Sequence, residues 1–201
     1  MDTWRNGGHK AMIGVGKREQ ILAAAAEIFS KEGYHNARVE DIAIKAGIGK
    51  GTVYEYFKSK KELFEETIFH VLETYLYEAL ESISGVQDPV DKLKCIIRLQ
   101  ASLLDRKGNI ATLFMKNSAD IHREMLDRLI AFRQRVIDFI ADIIREGIEG
   151  GAFRPVDPHL AGILFMGVLQ EAGTIHHSGS RINDQTLDTM LDYMINGIGI
   201  N

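Results

Sequence analysis

Within seven residues, Lys50, Gly51, Thr52, Tyr54 and Tyr56 offer an ammonium, a bare stretch of backbone, a hydroxyl and two phenols. These groups suit gripping phosphate oxygens and reading base edges. Gly51 has no side chain, so the backbone there can come close to a nucleic acid. Arg38, upstream, can meet a phosphate by charge, and Lys10, Lys17 and Arg18 can reach phosphates or a minor groove. Glu55 is the odd member of the set. A carboxylate facing a polyanion is unfavourable unless it accepts from a cytosine amino group or pairs with a cation. Both readings stay open, the second with Glu55 as a solvated charge beside Lys58 or Lys50.

Two short helices must position these groups. Val39, Ile42 and Ala43 fall on one face at helical spacing, Ala46-Gly47 closes a turn, and Ile48 follows as an apolar plug. A second helix starts near Lys50, where Val53 and Phe57, four apart, face the first. The pattern is that of a helix-turn-helix. Ahead of it, Ile21, Leu22, Ala25, Ile28 and Phe29 give an amphipathic helix over Lys17–Lys31, ended at Gly33, that packs behind the pair. Ala37 cannot cap the second helix because it has no side-chain acceptor, which leaves Asn36 for that task.

The stretch resembles the DNA-binding signature of the tetracycline-repressor (TetR) family of bacterial regulators. The matching residues are Ile21-Leu-Ala-Ala-Ala, Phe29, Gly33-Tyr34, Val39, Asp41-Ile42-Ala43, Ala46-Gly47-Ile48, Lys50-Gly51-Thr52-Val53-Tyr54, Tyr56-Phe57, Ser59-Lys60 and Leu63. A bare helical hairpin would be weak evidence, whereas glycine, tyrosine, phenylalanine and lysine at these joint spacings are specific. The resemblance implies DNA contacts from Arg38, Lys50, Gly51, Thr52, Tyr54, Glu55, Tyr56 and Lys60, with Lys60 on the DNA backbone from the start of the next helix. Ala37 and Arg38 depart from the family, which usually has threonine or serine there.

Charge agrees with a reading head at the N-terminal end. Of the 201 residues, 45% are hydrophobic and 26% charged, and the net charge is -4. Residues 1–65 hold 11 Lys/Arg against 9 Asp/Glu, and the remainder 13 against 19. The basic excess therefore sits with the helix-turn-helix. One cysteine, Cys95, excludes an internal disulfide and fits a reducing cytoplasm. No apolar run suited to a membrane span is present, nor the apolar core of a secretory signal. The chain has no HExxH, Gly-rich phosphate loop or GxSxG, and the adjacent His176 and His177 would point about 100° apart on a helix. No catalytic residue, metal site or cofactor is expected.

The rest reads as helices. One runs from Ser59, a good cap, to about Ser84, linking head and body, and Pro89 opens another through Lys107. The apolar segment Ile110–Met115 and helices over Ile121–Gly147, Pro158–His176 and Gln185–Ile198 follow. Phe114, Met115, Phe132, Phe139, Phe165, Met166 and Gln170 are candidates for a small-molecule pocket between bundle helices. Their aromatic and methionine character suits an apolar or amphipathic effector, an acyl-CoA or fatty-acid derivative or a lipophilic drug; for each alone, plain core is the alternative. The Pro158 helix leaves almost no polar face, which needs burial on every side. Leu164, Val168, Leu187, Leu191 and Met194 are therefore expected in a homodimer interface, the alternative being packing within one chain.

The expected fold is all-α: a three-helix helix-turn-helix DNA-binding head followed by a larger helical ligand-binding and dimerisation body. Residues 1–16 are expected as a flexible arm, 17–62 as the DNA-binding domain and 63–201 as the ligand-binding and dimerisation domain. The expected function is a ligand-responsive homodimeric repressor of operator DNA. A helical protein-interaction module or a small helical enzyme are the competing classes.

Overall fold

The computed structural model describes residues 16–104, 123–177 and 184–198, and among these it holds eight helices and no strand. They are α1 (Lys17–Asn36), α2 (Val39–Lys45), α3 (Lys50–Tyr56), α4 (Lys60–Ser82), α5 (Pro89–Leu104), α6 (Arg123–Glu149), α7 (Pro158–His177) and α8 (Asp184–Ile198). The chain divides into two compact units, with the boundary between Tyr77 and Glu78. That division falls inside α4, later than the expected 62/63, because Leu63, Phe64, Thr67 and Ile68 are buried in the head.

In the first unit, α1 buries Ile21, Leu22, Ala25 and Phe29. Phe29 meets the Phe64 ring edge-on at 5.1 Å, and Tyr34 lies 5.0 Å from Phe64. These three rings tie α1 to α4. Gly33 interrupts α1 with a φ of 78°, and one further turn reaches Asn36. Only glycine takes that backbone readily. Ser59 Oγ accepts the Glu62 N–H at 3.1 Å, the expected cap of α4, while the Glu62 carboxylate reaches back to the Lys58 N–H at 2.6 Å. This is a near-reciprocal capping box. Farther along α4, His70 is half-buried. Burial pushes its imidazole below the ordinary value near 6.5; the charge of Glu19 opposes this and that of Arg18 adds to it.

In the second unit, Asp88 Oδ1 accepts the Asp91 N–H at the start of α5, and Asp157 Oδ1 accepts the His159 and Leu160 N–H groups at the start of α7. Pro89 and Pro158 each occupy a first helical position, where the missing N–H costs nothing. The most extensive contact is between α6 and α7; α5 packs on α6, α7 and α8. Close approach of α6 and α7 depends on Gly162, where a Cβ would lie 3.0 Å from the Ile137 carbonyl oxygen. Buried Phe153 turns back onto Gly147, leaving no room for a side chain at that glycine. The segment Ile110–Met115 lies outside the described residues.

Gly147→Ala would drive a methyl group into the Phe153 ring. Urea denaturation should show a loss of about 1–3 kcal/mol, as for other overpacked cores. A second expectation concerns pH. Because His70 is depressed in the folded state, the unfolded chain binds more protons below about 6.5. Stability should therefore fall as pH drops through and below that value, and His70→Gln should flatten this fall in thermal melts across the range.

Candidate nucleic-acid interface

Helices α2 and α3 are too short to stand alone, so their turn and buried side chains fix them. Val39, Ile42 and Ala43 of α2 and Val53 and Phe57 around α3 are all buried. The turn closes through the Ala46 N–H to Ile42 O, the Gly47 N–H to Ile44 O and the Ile48 N–H to Ala43 O. Gly47 takes a φ of 69°, which a side chain would oppose. Arg38 and Gly49 are the extended residues that precede α2 and α3, and neither provides a side-chain cap. Asn36 does not take that role: its Nδ2 donates to Glu32 O at 3.2 Å, one turn back in α1.

The expected contact residues differ in exposure, and Lys60 is half-buried. Arg38, Lys50, Gly51, Tyr54, Glu55 and Tyr56 are exposed and Thr52 is half-buried, while Val53 and Phe57 point inward. A Cβ at Gly51 would meet nothing within 4 Å, and its φ is not positive. Nothing among the described residues requires a glycine there.

Two cations of the set have partners. The Lys50 ammonium hydrogen-bonds Glu40 Oε1 across the helix pair and lies 5.9 Å from the Tyr54 ring centroid. That bond holds the Glu40 carboxyl below its ordinary range and raises the Lys50 ammonium above its own. Lys60 Nζ donates to His35 O at 3.0 Å and sits 4.9 Å from the Tyr34 ring centroid. Glu55 has no ion pair among the described residues; Lys50, one of its two expected neighbours, is taken by Glu40. Glu40 was missed because a pair across two helices depends on how they cross. Its one signal was a carboxylate in the first turn of α2.

The other two sets scatter. Phe114 and Met115 lie outside the described residues. Phe139 of α6 and Phe165 of α7 are buried, Phe132 and Met166 are half-buried, and Gln170 is exposed. Arg135 covers the Phe132 ring at 5.6 Å. An open groove between α5 and α8 is lined by Lys94, Arg98, Asp188, Leu191 and Asp192 among others, none of them among the pocket candidates. Of the dimer candidates, Leu164 is 64% exposed and Val168 and Met194 are half-buried. Leu187 and Leu191 are buried within this chain, on α8 where it packs against α5 and α7. Leu160 at 58% and Tyr193 at 74% are exposed as well.

Family models match both parts of the chain. Residues 21–67 match "Bacterial regulatory proteins, tetR family", and residues 86–198 match "Tetracyclin repressor-like, C-terminal domain". The chain belongs to the TetR family. Its head is thus the DNA-binding helix-turn-helix of a transcription regulator, and its helical body the ligand-responsive part of TetR regulators. The chain is 26% identical over 189 residues to the fatty acid metabolism regulator protein of Bacillus subtilis, covering 90% of this chain and 95% of that one. The crystal structure of the transcriptional regulator FadR from B. subtilis in complex with stearoyl-CoA superposes with a TM-score of 0.75 at 25% identity, covering 89% and 98% of the two chains. The fatty acid degradation regulator FadR of Bacillus halodurans shares the fold at a TM-score of 0.76 and 20% identity, covering 91% and 96%. Among the described residues no helix is long and apolar enough to cross a membrane.

Gly51→Ala separates a DNA-contact role from a folding role. In a TetR head with open space at that Cβ, alanine should stabilise the fold by about 0.5–1 kcal/mol. The same change should weaken promoter DNA binding by about tenfold or more, measured by fluorescence anisotropy.

Proposed function

We propose that this chain is a homodimeric cytoplasmic repressor whose two heads bind one operator and which a fatty acyl-CoA releases. The likeness to a fatty acid metabolism regulator over nearly the whole length of both chains carries the effector class. The stearoyl-CoA complex of FadR, at 25% identity, supports the same choice.

The dimer rests on α7. Leu160, Leu164 and Gly167 recur at helical spacing and form one exposed face. A Cβ at Gly167 would meet nothing within 4 Å. Apolar side chains beside an open helical glycine suit close packing against a second helix, and Val168 and Met194 belong with them in the reading. Helix α4 runs unbroken from Lys60 to Ser82 and carries the chain from the head into the second unit. In the proposed mechanism, effector in the body shifts α4 so that the spacing of the two heads no longer matches the half-sites. Linkage then requires DNA to weaken effector binding by the same factor. Phe132, Phe139, Phe165, Met166 and Gln170, with Phe114 and Met115, are the proposed effector contacts. Arg38, Lys50, Gly51, Thr52, Tyr54, Glu55, Tyr56 and Lys60 are the proposed DNA contacts.

The test titrates the chain against DNA from upstream of its own gene, with added acyl-CoAs of graded length, free CoA and free fatty acids. Long-chain acyl-CoA should release the DNA and free CoA should not. No change with any acyl-CoA would remove the effector class, and no promoter binding even at low salt would remove the DNA reading. For the dimer, Leu164→Glu should give a monomer by light scattering that binds the operator at least about 10²-fold more weakly. A monomer with full operator affinity would refute the interface.

A further inference from the structure

Arg18, near the start of α1, has two partners within the head. Its guanidinium carbon lies 5.4 Å from the centroid of the Phe57 ring, and its Nη2 donates to Glu66 Oε2 at 2.7 Å. The two partners belong to different elements. Phe57 is the residue that ends α3, with its N–H bonded to Val53 O and its ring buried. Glu66 stands in the second turn of α4. Only arginine offers a flat face for a ring and a fork of N–H donors at its edge for a carboxylate at once. The pair is partly shielded, with side-chain exposures of 43% and 27%.

We propose that Arg18 is a positioning residue for operator recognition, setting the attitude of α3 against α4, and that it makes no phosphate contact itself. Three elements meet at this one side chain: α1 supplies it, Phe57 ends the recognition helix, and Glu66 belongs to the helix that leaves the head. The ring contact resists tilting of the α3 C-terminus, and the ion pair fixes the guanidinium over the ring. Phe57 cannot do this alone, because an apolar ring in a core has no directional partner. The role differs from that of the exposed Lys50 and Arg38, which stand on the face offered to DNA.

The experiment compares Arg18→Gln, Glu66→Gln and the exchange R18E/E66R, using the promoter fragment that the parent chain binds. Operator affinity is measured over a salt series, and melting temperature and helical circular dichroism on the same samples. Loss of a positioning clamp should weaken binding by about three- to tenfold in both single variants. The slope of log K against log salt should stay that of the parent, and the exchange, which restores the ion pair but not the cation over the Phe57 ring, should recover only part of the loss. A phosphate contact behaves differently. Arg18→Gln would then flatten the slope by about 0.9, and Glu66→Gln would tighten binding by freeing the guanidinium. Either of those results, or unchanged affinity in both single variants, overturns the proposal. If Arg18→Gln loses its helical signal, Glu66→Gln and its opposite expected signs carry the decision.

Discussion

The recognition helix α3 is seven residues long, and a helix of that length has no independent stability in water. Its order comes from Val53 and Phe57, both buried, and from the turn that Gly47 makes possible. Most of the head follows from that constraint. α2 supplies the apolar floor of Ile42 and Ala43, and α1 closes the back with Ile21, Leu22 and Phe29. The Phe29–Tyr34–Phe64 cluster then joins α1 to α4.

Electrostatics is arranged differently. Among the described residues of the head no charged side chain is buried, and cations are held by partners at its surface: Lys50 by Glu40, Lys60 by the His35 carbonyl and Lys45 by Glu27. Exposed pairs of this kind add little to folding. Their effect is on what DNA meets. A lysine already engaged by a carboxylate must exchange one partner for another on binding, so part of the attraction to phosphate is offset beforehand.

Much of this was legible in the residues, and the reasons are local. Helical spacing marked the apolar faces, Ser59 and Pro89 marked helix starts, and Gly47 marked the tight turn. The open face of α3 followed from the positions of Val53 and Phe57 alone. What the residues alone leave open is long-range. Leu187 and Leu191 have the periodicity of an interface helix, but periodicity states that a face is apolar and is silent about what covers it. Here Leu187 and Leu191 face inward, whereas Leu160 and Leu164 of α7 are exposed. Asn36 was a plausible cap by residue type; the turn beyond Gly33 aims it back at Glu32. Arg18 and Glu40 act across helix pairs, where only the crossing geometry shows which charges meet.

The open side of α3 has a consequence for descent. Lys50, Gly51, Thr52, Tyr54, Glu55 and Tyr56 lie outside the packed core, whereas Val53 and Phe57 lie within it. Exchanges at exposed positions generally alter folding free energy by no more than about 0.5 kcal/mol. A duplicated copy of this gene could therefore drift through many combinations at six positions and remain folded at every step. New DNA preferences would arise along nearly level paths, while changes at Val53 or Phe57 would be removed early. A head built on two inward side chains is in that sense a scaffold on which recognition can diverge quickly.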